Sequence, residues 1–481
     1  MLLASVIAYL LVSVLIGLFV ARNVKNTADY AVAGRNLSLP VVTATVFATW
    51  FGSETVLGIS STFVEEGMRG IVADPFGASM CLILAGLFIA PKIYNLNLLT
   101  LGDYYRVRYN QAVEVFCSAC IVVSYLGWVA AQISALGLIF YVLTDGAVSQ
   151  NWGMVIGASI VLIYTVFGGM LSVAILDFIQ MVVIAAGLVY IVWIVADLAG
   201  GAGNVIAHAD AAGKLQLFPE EFSYVLWVPF VGAFLTMAFG SIPQQDIFQR
   251  ISSAKNVQTA KRGAVLGGSL YFFFAFIPVF LAYGAVMIDP ETFGAMVSED
   301  SQMVLPSLVL NHTPLFAQIV FFGALLSAIM STSSATLLAP AVSFSENIVK
   351  VIFPKLTDKA LLLTMRVSVF VFTIIVVAFA INSDSSIFEM VEGAYEITLA
   401  AAFVPLVLGL YWKRATSQGA VLSIVVGVSV WLLSKHVFPS EVWPPQLLGM
   451  LFGLGTMVVA SLLPQWIKHD PALRDGVIHS K

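Results

Sequence analysis

The run Ala48-Thr49-Trp50-Phe51-Gly52-Ser53-Glu54-Thr55 sets a carboxylate and three hydroxyls inside an otherwise apolar segment that extends from about Leu39 to Phe63. A bilayer-length helix gains nothing structural from an acid at its midpoint. Placing one there costs at least about 2.5–3.5 kcal/mol, so a function is the default reading. Gly52 and Ser53 are weak helix formers, which predicts a break in the helix at this point. A break frees backbone groups for an ion or solute, and Gly52, Ser53, Glu54 and Thr55 are the candidate solute contacts.

Other polar groups fall at similar depth in other apolar runs. Ser327-Ala328-Ile329-Met330-Ser331-Thr332-Ser333-Ser334 offers neutral oxygens suited to a hard cation, with Ser331 and Thr332 as the candidates. Hydroxyls in apolar helices also bond back to the carbonyl one turn earlier, which is the competing reading. The carbonyls of Ala48 and Phe51 belong near the same level. Asp177 sits seven residues into its run, roughly 10 Å from the inner end at about 1.5 Å per residue. It is a candidate ion ligand, proton relay or hydrogen-bond anchor, with Gln180 one turn on. Trp128, followed one turn later by Gln132, reads either as packing or as an apolar or cation–π wall. A second interruption, Gly240-Ser241-Ile242-Pro243-Gln244-Gln245-Asp246, removes a backbone hydrogen bond at Pro243 and adds Gln244 and Gln245 as candidate solute contacts.

Several chemistries are excluded. The five histidines (His208, His312, His436, His469 and His479) fall in predicted loops or the tail, away from any metal-ligand or triad spacing. No Lys precedes Ser or Thr, so no phosphate-binding loop of the Walker type is present. Cys117 and Cys120, without a nearby His, read with Cys81 as small apolar packing residues. Nothing resembles a basic, aromatic-interleaved nucleic-acid surface.

The elements that must position these groups follow from composition. The chain is 60% hydrophobic and 10% charged, against roughly 25% charged in soluble domains. Apolar runs without alternation span a bilayer as helices, so the expected class is an all-α polytopic membrane protein. Thirteen runs are discernible, at about 2–21, 38–63, 70–91, 113–143, 152–168, 171–197, 224–244, 262–287, 314–343, 360–381, 388–411, 417–437 and 444–464. With the N-terminus outside and the C-terminus inside, 18 of the 22 Lys and Arg residues fall on the cytoplasmic side. The first run lacks a basic leader and a small-residue cleavage site, so it is read as a retained span. The two interrupted runs lie five spans apart and run in opposite directions, the footprint of an inverted repeat with a site at mid-membrane. One integral domain is expected: an extra first helix and inner loop (1–37), a first repeat (38–197), an inverted second repeat (224–411), two peripheral helices (412–464) and a cytoplasmic tail (465–481).

The segment from Tyr164 through Gly168-Gly169 to Asp177-Phe178-Ile179-Gln180, the run Gln245-Asp246-Ile247-Phe248-Gln249-Arg250, and Ser327–Ser334 together resemble the sodium:solute symporters, from the first span to about the eleventh. The resemblance implies the five-plus-five inverted-repeat fold of the leucine-transporter type and sodium as coupling ion. It places sodium on the carbonyls of Ala48, Phe51 and Ala328 and the hydroxyls of Ser331 and Thr332. A second sodium site of some members falls on Asp177 and Ser334, with Ala335 here where a serine is usual. Thr49-Trp50-Phe51-Gly52 and Gly127-Trp128 with Ser134-Ala135-Leu136 are most similar to the high-affinity choline branch, which puts Trp50 and Trp128 in a substrate cage. Gln244 replaces a tryptophan, Ala78 a tyrosine, and Glu54 a small residue. A thinner cage with added amide and carboxylate groups suggests a more polar solute, an amine or amino acid.

The expected function is sodium-coupled uptake of a small polar organic solute by alternating access, not enzyme catalysis. The solute classes in view are an amine, a quaternary ammonium compound such as choline, or an amino acid. A passive channel and a symporter-like membrane sensor are the alternatives. The expected partners are the solute, sodium and the lipid bilayer of the plasma (inner) membrane, with no nucleic acid and no obligate protein partner.

Overall fold

Apolar runs bounded by Asn, Ser and Thr caps become helices, because a side-chain oxygen satisfies amides that the first helical turn leaves free. Asn110, Ser149 and Asn256 each accept from a backbone amide two or three residues on. The computed structural model describes residues 1–440 and 442–467. Among them the chain is helical apart from one β-bridge, Leu37 with Ala254. The expected inner basic residues Lys468, Arg474 and Lys481, with His469 and His479, lie outside the described residues.

Ten helices are long and apolar enough to cross a membrane, or eleven when one bent pair is taken as a single span. The elements are α1 (Leu2–Ala21), α2 (Leu39–Trp50), α3 (Ile59–Glu66), α4 (Val72–Leu96), α5 (Leu101–Arg108), α6 (Gln111–Leu143) and α7 (Gln150–Leu198). There follow α8 (Tyr224–Gly240), α9 (Gln245–Ser253), α10 (Val257–Ile288), α11 (Leu315–Ile352), α12 (Asp358–Ile381), α13 (Ile387–Tyr411), α14 (Ser417–Val437) and α15 (Pro445–Leu462). The bent pair is α8 and α9, turned by 45° around Ser241–Gln244.

This count differs from thirteen apolar runs for two local reasons. The runs 152–168 and 171–197 form the two helical halves of the 49-residue α7, which meet at a kink where Gly169 leaves helical geometry (φ 50°, ψ −150°). Straight, a helix of that length would extend about 70 Å, more than twice a hydrocarbon core of about 30 Å. The run 38–63 is divided between α2 and α3, each too short to span. Three histidines also sit differently from expectation. His208 is on a helix (Ala202–Ala211), His312 ends another (Val304–His312), and His436 lies in the last turn of α14.

The site is positioned by close packing around α2. Gly263 and Gly267 of α10 face Val42 and Val46, and a Cβ on either glycine would come within 2.4 or 2.6 Å of a valine Cγ1. Small residues four apart let two membrane helices approach at backbone distance. α2 also packs on α7 and α11. Leu11 and Phe19 of α1, Leu363 and Ile374 of α12 and Val459 of α15 are exposed. An apolar outer surface around a polar-containing centre is the arrangement of an integral membrane protein.

Candidate functional site

α2 stops at Trp50 because Phe51 leaves helical geometry (φ −87°, ψ 74°), and helical bonding resumes as a π-helical turn over Glu54–Gly58 that leads into α3. Gly52 sits in this break. A Cβ there would lie 2.6 Å from both Glu54 Oε2 and Thr332 Oγ1, and 2.8 Å from Gln132 Oε1. Three side-chain oxygens from three elements thus converge on a position where only a hydrogen fits.

On one side of the break, Thr332 Oγ1 donates to the Ala48 carbonyl at 3.3 Å. Ser331 Oγ donates to Asp177 Oδ1 at 2.6 Å, and Thr45 donates to the other carboxylate oxygen. Asp177 of α7 therefore joins α2 to α11, and all three residues are fully buried. Ala328 lies buried in the unbroken part of α11. Ser334 gives its hydroxyl back to the Ser331 carbonyl at 2.9 Å, the local bonding common in apolar helices. The structure brings Ala48, Phe51, Ser331, Thr332 and Asp177 to one level, while Ser334 is turned along its own helix.

On the other side, Glu54 is 3% exposed and receives Trp128 Nε1 at 3.0 Å and Gln132 Nε2 at 2.6 Å. The oxygen of the same Gln132 accepts from the Ser53 amide at 2.9 Å. Trp50, Trp128 and Tyr395 pack as a trio with ring centroids 5.5–5.9 Å apart, and Tyr125 stacks on Trp128. Trp50 Nε1 donates to Asp246 Oδ2 at 3.1 Å, and Tyr125 donates to Oδ1 at 2.5 Å. Each indole N–H of the trio thus ends on a carboxylate. Tyr271 donates to Asp74, and Thr55 Oγ1 lies within hydrogen-bond distance of both the Tyr271 hydroxyl, at 2.8 Å, and the Trp50 carbonyl, at 3.1 Å.

The two glutamines at the second break diverge. Gln244 Nε2 donates to Ser124 Oγ at 3.1 Å, beside the ring trio. Gln245 turns away, its Oε1 accepting from the Leu101 amide at 2.8 Å at the start of α5. Asp246, Tyr395, Tyr125, Asp74 and Tyr271 are additions to the residues singled out by sequence. Asp246 stood in the polar run beside Gln245, so the signal was available. Tyr395 carried no local signal, since only the packing of α13 on α6 brings it to Trp128.

A cavity of about 580 Å³ opens beside α3, with Gly58 and Ser61 in its wall together with Glu65, Glu66, Glu389, Glu392 and Arg69.

The model of the sodium:solute symporter family matches residues 30–427. The chain is 27% identical over 463 residues to the high affinity choline transporter 1 of Homo sapiens, covering 89% of this chain and 75% of that one. It is 25% identical over 480 residues to the high-affinity proline transporter PutP of Bacillus subtilis, covering 94% and 96%. In structure it is similar to a Na⁺-coupled sialic acid symporter in a substrate-bound outward-open state, with a TM-score of 0.84 at 19% identity over 98% of this chain and 99% of the other. That likeness gives the fold, an all-helical one of the leucine-transporter type. With transporters as its relatives and the family model spanning most of its length, the chain belongs to the sodium:solute symporter family.

Proposed function

We propose that the protein carries out sodium-coupled symport of a small polar organic solute, an amine, quaternary ammonium compound or amino acid, across the plasma (inner) membrane. The family supports sodium as the coupling ion. In this reading the carbonyls of Ala48, Phe51 and Ala328 and the hydroxyls of Ser331 and Thr332 hold sodium. Asp177 braces that site or contributes to a second ion, with Ser334 as its other candidate ligand. Trp50, Gly52, Ser53, Glu54, Thr55, Trp128, Gln132 and Gln244 surround the solute, and Tyr395 and Asp246 join them. Gln245 is reassigned from the solute to the inner end of the bundle, on the strength of its bond to the Leu101 amide.

The chain would cross the membrane thirteen times with its N-terminus outside. α7 counts as two spans on either side of Gly169, and α2 with α3 as one broken span. α2 to α7 and α8 to α13 form the two inverted repeats, leaving α1 and the α14–α15 pair outside them. Sodium favours an outward-open state, solute binds at the break, and the repeats rock to release both inside.

The observation that carries this reading is the convergence at Gly52, where a sodium candidate and two solute candidates share one point. The test is uptake into proteoliposomes of the purified chain. Imposing an inward sodium gradient is expected to drive concentrative uptake of an amine or amino acid from a mixed panel. Uptake that is unchanged without the gradient, or that only equilibrates, removes the coupling.

A further inference from the structure

We infer that the site selects monovalent organic cations that lack a carboxylate, and that Glu54 makes this selection by holding the position a solute carboxylate would otherwise take. The inference deepens the symport reading and rests on it for the location of the solute.

The argument starts from the helix break. The π-helical turn and α3 together form a stretch whose amino-terminal end opens at Gly52–Glu54. Free amides and the helix dipole make such an end attractive to an anion. In a transporter with broken helices, the acid group of a solute can dock there. Here the docking position is filled from within. The Ser53 amide is already given to Gln132 Oε1 at 2.9 Å. The Glu54 carboxylate lies over Gly52, with Oε2 at 2.6 Å from where a Cβ would stand.

The side-chain oxygens of Glu54 are acceptors in the hydrogen bonds they make. Both its oxygens receive N–H donors, from Trp128 and Gln132. A carboxylate has about four acceptor positions, so room remains for a solute N–H or for an ammonium at contact distance. Asp246 adds a second buried carboxylate, at the indole N–H edge of Trp50. Two acids at the N–H edges of Trp50 and Trp128, next to the ring of Tyr395, favour a cation over an anion. A second anion would meet like charge in a poorly screened interior.

The balance of charge agrees. Arg250 is the one buried basic side chain among the described residues, and its Nε and Nη1 are given to Thr49 and to the Asp246 carbonyl. The cavity walled by Gly58 and Ser61 carries Glu65, Glu66, Glu389 and Glu392 against Arg69, an acidic lining that attracts cations.

Matched pairs test this without any variant. Choline and glycine betaine, pyrrolidine and proline, and ethanolamine and glycine differ chiefly by a carboxylate. Binding to the purified full chain in saturating sodium is read by thermal shift and by competition. The expected result is that the tightest ligand is a carboxylate-free cation, and that its zwitterionic mate binds at least tenfold more weakly. A zwitterion that binds as well as its mate, or binding only of neutral or anionic solutes, overturns the inference. A tenfold preference for the zwitterion would assign Arg250, whose Nη2 has no hydrogen-bond partner among the described residues, as carboxylate receptor.

Glu54→Gln is expected to narrow the preference to within about twofold, while Glu54→Asp retains it. A fully retained preference in a folded Glu54→Gln protein removes Glu54 from the role. Sodium-independent binding and uptake would sink the symport reading while leaving the pair comparison valid, so the two failures are distinguishable.

Discussion

Ser331 and Thr332 are neighbours in sequence with the same chemistry, yet the fold gives them different partners. Thr332 faces the Ala48 carbonyl and the oxygen cluster at Gly52, whereas Ser331 is committed to Asp177. Their alanine variants should therefore separate. If the proposed sodium site holds, Thr332→Ala removes one ligand and little else, so the sodium half-saturation should rise about tenfold with only a small change in sodium-free melting temperature. Ser331→Ala also strips a donor from a buried carboxylate, a loss of about 1–3 kcal/mol in stability beyond any sodium effect. Thermal melts across a sodium titration distinguish the two. Equal loss of stability in both variants would mean that Thr332 is structural. Gly52→Ala sharpens the residue-scale argument further, because the new methyl enters between Glu54, Gln132 and Thr332. Both sodium and solute affinity should fall. A loss confined to one ligand would show that the shared wall does not join the sites.

At the scale of elements, the end of the bundle around α5 and α9 is tied together by polar groups of the segments that flank the two breaks. The bridge between Leu37 and Ala254 fastens the start of α2 to the end of α9. α5, capped by Thr100 and Asp103, gives its first amide to Gln245 at the beginning of α9. Asn347 of α11 then donates to both Asp103 and Glu114, so three elements meet around the same short helix. Gln245→Leu leaves the buried Leu101 amide without a partner, at a cost of about 1–3 kcal/mol. The expected consequence is looser packing of α5 against α9, read as faster labelling of a cysteine introduced on α5 and weaker sodium binding. Unchanged labelling would make Gln245 a static brace. Much of this scale was legible beforehand. Glu54 in an apolar run and Pro243 after Gly240 announce both breaks, since each violates a local rule for a membrane helix. The destination of Gln245 was not legible, because adjacent residues at a helix start point in different directions and only the placed α5 says which way. The division of α7, by contrast, was legible: Gly168-Gly169 separates two apolar runs, and Gly169, packed against Tyr30, leaves helical geometry there.

For the whole molecule, the question is whether ion and solute are bound by one structure or by two neighbouring ones. The break supplies carbonyls to one side and a carboxylate to the other, so closing either half orders the same few residues. Ordering them once lowers the cost of the second ligand. The resulting coupling must be reciprocal: if saturating sodium tightens a solute tenfold, about 1.4 kcal/mol, then saturating solute must lower the sodium half-saturation by the same factor. The ligand for this measurement is the tightest cation among the matched pairs. Its affinity is read with and without sodium, and sodium affinity with and without the cation. Equal factors near ten are expected for the native chain, and a smaller common factor for Gly52→Ala, whose methyl holds the two halves apart. If the native factor is one, sodium and solute occupy independent sites. The position of Glu54 beside Thr332 would then serve only to fix the helix break, and coupling would have to reside in the rocking of the repeats.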